Sequence, residues 1–238
     1  MDGGQVFEME VIESRRITPS IHKILLKKPD SFRFLPVQFT FLSMMTQEGM
    51  DSRPMSIATS PTRPNLEYAV RVSDSSYKSA FASLKPGDSV TVQGPYGDFI
   101  LDEKRPAVLV AGGIGITPLK GMAEYAADRK LQIPVRLLYS NRTTDEIAYK
   151  SELEELEQHN PEFTLFHTLT GENVPEDWEG LRGRINTEYL RKASEGLERP
   201  NYYLCGTPGM VKACFDLLHG MKVSERYVNY EVFRGYWN

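Results

Sequence analysis

Short apolar-rich segments typical of strands lie over 5–13, 22–28 and 66–72, and Pro, Gly, Ser and Asp break them apart. Short strand-like segments bounded by turn residues are the pattern of a small antiparallel barrel or sandwich, which the chain up to residue 103 therefore predicts. Lys85-Pro86-Gly87-Asp88 reads as a turn, because Pro presets φ ahead of a Gly that accepts a positive φ, and it launches the alternating Val90-Thr91-Val92. From Pro106 the period changes. An apolar run over 107–111 predicts a buried strand, and behind it Leu119, Met122, Ala123 and Ala126 share one face of a helix. Further strands are predicted over 135–139, 163–168, 202–205 and 227–232, alternating with helices near 149–159, 187–195 and 208–219. Five strands with helical crossovers make a parallel α/β sheet, which takes ligands at the carboxyl ends of its strands. The expected architecture is an N-terminal antiparallel β-barrel over 1–103, then a five-stranded parallel α/β nucleotide-binding domain over 104–238.

The 238 residues are 40% apolar, which suffices for two domains of ordinary size. A formal charge of −4, with Lys and Arg scattered along the chain, gives no reason to expect nucleic acid. Cys205 and Cys214 follow a strand and a helix pattern rather than a metal-ligand spacing, so neither a structural zinc nor an iron-sulfur cluster is expected. The opening residues lack the basic start and apolar stretch of a signal peptide, and no apolar run reaches bilayer length. The expectation is a cytoplasmic protein with no membrane partner.

The strongest local signal is VLVAGGIGITPL, in which an apolar strand ends in Gly112, Gly113 and Gly115, followed by Thr117 and Pro118. Glycines let a phosphate approach the backbone, Thr117 can cap the helix and Pro118 suits its first turn, so free amides would face an anion. The alternative is a tight strand-to-helix turn without a ligand. CGTPGM, with Cys205, Gly206 and Met210, also follows an apolar strand and opens a helix, a second candidate nucleotide contact. RPMS (Arg53, Pro54, Met55, Ser56) and GPYGDF (Gly94 to Phe99) are each compatible with plain surface turns. The closing EVFRGYWN puts Glu231 and three aromatics at the chain end, a composition unlike that of a floppy tail.

Taken in order, RPMS, GPYG-F, GGIGITP, CG-P-M and a late E-x-F resemble the ferredoxin-NADP reductase family of flavoproteins, across roughly residues 5 to 236. The resemblance implies an FAD-binding barrel followed by an NAD(P)H-binding domain. It implies that Arg53 pairs with the flavin phosphates, that Ser56 bonds near flavin N5, and that Tyr77-Lys78-Ser79 donate to the FAD pyrophosphate, FAD being favoured over FMN. Gly94, Pro95 and Gly97 would shape the rim beside the flavin, and residues 112–117 would cradle the nicotinamide nucleotide. Cys205 would lie beside the nicotinamide, Glu231 would join the hydride-transfer and proton network, and Tyr236 or Trp237 would cover the flavin ring. Two positions depart from the family pattern: Met55 stands where Tyr or Phe is usual, and Val37 where Gly is common.

After the second strand of the α/β half the chain reads Tyr139-Ser140-Asn141-Arg142, with no carboxylate before Asp145. Ser140 and Arg142 favour NADP(H) over NAD(H), because Arg offers a planar fork to a 2′-phosphate; a solvated turn is the alternative. The expected activity is hydride transfer from NAD(P)H to flavin, then electron transfer to a ferredoxin, flavodoxin, oxygenase component or small molecule. The alternatives are an electron-transfer subunit of a larger redox complex, and a free-flavin or ferric-chelate reductase.

Overall fold

The computed structural model describes residues 4–233. Its first half is an antiparallel sheet in the order β4-β3-β6-β1-β2-β5, built from β1 (Gln5–Arg16), β2 (Ile21–Lys27), β3 (Phe39–Thr46), β4 (Gly49–Ser56), β5 (Asn65–Arg71) and β6 (Ser89–Tyr96). The sheet curls around Met9, Val11, Ile24, Leu26, Leu42, Tyr68, Val90 and Val92, all buried. Helix α1 (Ser76–Ser83) adds Tyr77 and Phe81 to this core. The sheet begins to close where the chain leaving β4 meets β5, through a bond from Ala58 N to Glu67 O at 2.9 Å. β4 ends the sheet, which is where Pro54 is tolerated, since proline has no N–H to give a neighbour. The Lys85–Asp88 turn forms as expected, with Gly87 at φ 94° and Asp88 N donating to Lys85 O at 3.0 Å.

The second half is a parallel sheet in the order β10-β9-β8-β7-β11-β12. Its strands are β7 (Ala107–Gly112), β8 (Val135–Asn141), β9 (Phe163–Leu169), β10 (Leu181–Arg182), β11 (Asn201–Gly206) and β12 (Val228–Val232). Helices α2 (Ile116–Asp128), α3 (Lys150–His159), α4 (Thr187–Ser194) and α5 (Pro208–Gly220) cover its faces. The sheet therefore has six strands where five were expected; the extra one is the two-residue edge β10, too short to leave a periodic signal. Leu109, Ala111, Leu137, Tyr139 and Cys205 face α2 and α3, while Val108, Val110, Leu138 and Leu204 face α4 and α5.

From β7 the sheet grows one way through β8 and β9 and the other way through β11 and β12. Such a reversal opens a crevice beyond the carboxyl ends of the two central strands, here between Gly112 and Gly206. Ile21, Val37 and Ala69 of the barrel half belong to the same apolar cluster as Ile116, Leu119 and Met122 of α2, so the barrel packs against the helix that starts at this crevice.

Candidate functional site

The glycine turn after β7 is a short 3-10 segment, Gly113–Gly115, leading into α2. Gly113 takes φ 53°, in the left-handed region that glycine enters without strain. Thr117 does not cap α2 as expected: it is 2% exposed, and its hydroxyl donates to Ile114 O at 3.1 Å. The cap position falls to Gly115, with no side-chain bond, because Thr117 lies a residue inside the helix. Pro118 is buried in the first turn. Across the crevice Thr207 caps α5, accepting from Met210 N at 3.4 Å. The Met210 sulfur lies over both Gly112 and Gly206; a methyl on Gly206 would stand 2.6 Å from it, and one on Gly112 would collide with it. Neither glycine position has room for a side chain beneath that sulfur.

The two halves meet at Ser56 and Glu231, 175 positions apart in sequence. The Ser56 hydroxyl donates to Glu231 Oε1 at 3.3 Å, while Glu231 Oε2 is buried without a hydrogen-bond partner among the described residues. Burial pushes the Glu231 carboxyl up to about 7, and the Ser56 bond pulls it partly back. Glu231 stands beside Cys205 in the parallel β11–β12 register. Cys205 is fully buried; burial first, and the Glu231 charge second, hold its thiol well above the ordinary range. The packing at Cys205 is that of a small core residue, and its thiol stays protonated near neutrality.

Further along β4, Arg53 is exposed and pairs with Asp51 at 2.8 Å. It stands opposite Leu42 on β3, whose carbonyl accepts from the Tyr77 hydroxyl at 2.9 Å. Burial raises the Tyr77 phenol, with Asp51 adding and Arg53 opposing, so α1 lies within electrostatic reach of both charges. No side chain caps α1. One cation and an uncapped helix start side by side suit a diphosphate. The Tyr77 ring itself is turned into the barrel core, while Lys78 is half-buried and Ser79 exposed on α1. Burial, and then Arg71, lower the Lys78 ammonium.

Met55 packs partly buried against the barrel core. Gly94, near the end of β6, and Gly97, directly after it, take φ 154° and 96° beside Phe39, Phe41 and Tyr96, whose rings lie 5.6–5.9 Å apart. Val37 adopts φ 77°, a conformation that strains a β-branched residue and explains why glycine is common there. Ser140 lies near the end of β8 and Arg142 directly follows the strand, exposed. Tyr236 and Trp237 lie outside the described residues.

Arg71, which no sequence motif singles out, reaches the glycine turn from the barrel side. Its Nη2 would be 3.3 Å from a methyl on Gly113, and its Nη1 pairs with Glu146 at 3.0 Å. The available signal is a cation closing the apolar run Tyr68-Ala69-Val70 at the end of β5. No group of three or more His, Cys, Asp or Glu side chains among the described residues is arranged to hold a metal ion. Among those residues no helix is long and apolar enough to cross a membrane.

The sequence family "Oxidoreductase NAD-binding domain" matches residues 109–216. Both halves together superpose on a ferredoxin NADP+ reductase from Neisseria gonorrhoeae solved with FAD and NADP, at TM-score 0.81 and 23% identity, covering 95% of this chain and 98% of that one. The chain has the two-domain fold of the ferredoxin-NADP reductase-like proteins. A cytochrome P450 reductase from Amycolatopsis shares the reductase fold at TM-score 0.82 and 25% identity, over 97% of this chain and 71% of that one. Among curated relatives, a component of the Na(+)-translocating NADH-quinone reductase of Actinobacillus succinogenes is 30% identical over 208 residues, 83% of this chain and 48% of the relative. Its counterpart in Psychrobacter cryohalolentis is 32% identical over 163 residues, 64% of this chain and 38% of the relative. This reductase-like chain thus spans less than half the length of either relative.

Proposed function

We propose that the chain is an FAD-dependent NAD(P)H reductase that accepts a hydride from the nicotinamide and passes electrons to an acceptor. The observation that carries this reading is the Ser56–Glu231 contact, which joins the barrel to the α/β domain beside Cys205. Bound FAD would supply the hydride-accepting centre and the capacity to release electrons one at a time. Arg53 and the start of α1 would hold its diphosphate, and the Ser56 hydroxyl would fix the edge of its ring. Gly112, Gly113, Gly115 and Gly206 would let the dinucleotide approach the backbone, with Arg71 countering its phosphates. Glu231, titrating near neutrality, holds a proton at the domain junction.

NADPH is the proposed donor, on the strength of the exposed Arg142 directly after β8. The acceptor is proposed to be a redox protein such as a ferredoxin, flavodoxin or oxygenase component. Both cysteines are free and buried, which suits a reducing compartment and supports a cytoplasmic location. A second reading, an electron-transfer component of a larger complex, is favoured by the relatives named as parts of a quinone reductase.

The deciding experiment is a visible spectrum of the purified protein, followed by anaerobic addition of NADPH and, separately, NADH. Flavin absorption that bleaches faster with NADPH is expected, and Ser56→Ala should slow that bleaching with FAD retained. A protein that neither retains added FAD nor oxidises either nucleotide would refute the proposal. Turnover of artificial acceptors by the isolated chain favours the first reading over the second.

A further inference from the structure

Arg71 is unusually well fixed for a surface-reaching cation. Its backbone pairs with Ile21 in the β2–β5 register, and the next amide, Val72 N, donates to Ser20 O at 2.8 Å. Its Nη1 donates to Ser20 Oγ and to Glu146 Oε2 at 3.0 Å, and Ser20 Oγ itself donates to Glu146. Nη2 has no hydrogen-bond partner among the described residues and faces Gly113. The Gly113 carbonyl, which could have accepted from it, already accepts from the Tyr139 hydroxyl at 3.1 Å. One arm of the planar guanidinium is therefore clamped while the other, without a hydrogen-bond partner among the described residues, points at the glycine turn.

We infer that Glu146, held by Ser20, is a positioning residue that aims Arg71 at the phosphates of the incoming nucleotide. This rests on the reading of the glycine turn as the nucleotide site. Three segments meet here: the β1–β2 turn gives Ser20, the end of β5 gives Arg71, and the loop after β8 gives Glu146. Ordering a long side chain during binding subtracts from affinity, and a cation already locked in place avoids that cost. The clamp also crosses the domain boundary, so it joins the barrel to the loop that carries Arg142.

The test is isothermal titration of the flavin-loaded protein with NADP+ and with NAD+, alongside stopped-flow reduction by NADPH. Glu146→Gln should weaken nucleotide binding about three- to tenfold, raising KM while the limiting reduction rate changes little. Ser20→Ala should shift binding the same way by less, and Glu146→Asp should restore part of the affinity. In an Arg71→Met background Glu146→Gln should add no further loss, because Glu146 acts through that side chain. Tighter binding by Glu146→Gln would overturn the inference, since Glu146 would then compete with the phosphate. Independent, additive losses would overturn it too. If Arg71→Met leaves nucleotide binding unchanged, the failure lies in the assignment of the turn itself.

Discussion

Glu231 sits where two demands conflict. Its side chain is drawn into the junction between the domains, where lost hydration disfavours the charged form, while the Ser56 hydroxyl offers a bond that favours it. Burial wins, and the carboxyl moves from its usual 4.5 to about 7. Between these values the folded protein keeps a proton that the unfolded chain releases, so stability falls as pH rises through this window and stays lower above it. Glu231→Gln abolishes the titration. The variant should therefore gain on the wild type between pH 4.5 and pH 8, by at most about 3 kcal/mol, in urea unfolding at the two pH values. Ser56→Ala removes the bond that favours the carboxylate and should move the wild-type decline to higher pH. A wild-type-minus-variant difference that is flat with pH would show a solvated carboxyl.

At the scale of elements, three glycines in one crevice should respond differently to the same methyl group. A methyl on Gly115 would stand 2.6 Å from the Cys205 carbonyl carbon and 2.8 Å from Gly206 Cα, and would strike the carbonyl oxygen as well. These are backbone atoms of a central strand and cannot yield, so Gly115→Ala must push the start of α2 off β11, at a cost of about 3 kcal/mol. At Gly112 the obstacle is the end of the Met210 side chain, which can swing aside, so the loss should be smaller. Gly209, in the first turn of α5, has nothing within 4 Å of an added methyl, and Gly209→Ala should stabilise by about 0.5–1 kcal/mol. Thermal midpoints ordered Gly209→Ala, wild type, Gly112→Ala, Gly115→Ala would bear this out. These turns are readable in the sequence because their chemistry is local. β3 and β4 leave no such pattern: FTFLSMMT is apolar on both faces, and GMDSRPMS is a polar edge strand with an internal proline. Helix α1, SYKSAFAS, has too few apolar positions to show a period. Ser56 and Glu231 emerge only through the order of motifs, and the Ser20–Arg71–Glu146 clamp draws on three segments whose proximity only the fold creates.

At the scale of the whole molecule, the barrel and the α/β domain are joined by a buried ion cluster as well as by apolar packing. Lys120 of α2, 2% exposed, lies 3.6 Å from Glu67 of β5, 2.7 Å from Glu124 and 3.2 Å from Glu152. Lys23 of β2 completes the group, 2.7 Å from Glu67. Glu67 lies four residues before Arg71 on β5, and Lys120 one turn past the start of α2, so this cluster sets how the strand meets the helix that opens the crevice. Burial alone would lower the Lys120 ammonium, but Glu67, Glu124 and Glu152 together more than offset it and leave it raised above 10.5. A raised lysine contributes its full stabilisation below the unfolded value and loses it only in more alkaline solution. Lys120→Met should therefore cost about 3–5 kcal/mol equally at pH 6 and pH 8, because it leaves Glu67 Oε1 buried with no cation in front of it. Adding Glu67→Gln should recover part of that loss, since the amide keeps a bond to Lys23 and removes the stranded charge. Urea midpoints of the single and double variants decide the matter: an unchanged Lys120→Met midpoint would mean that the interface is held by apolar packing alone, and a double variant no more stable than Lys120→Met would mean that the loss does not come from a stranded Glu67 charge.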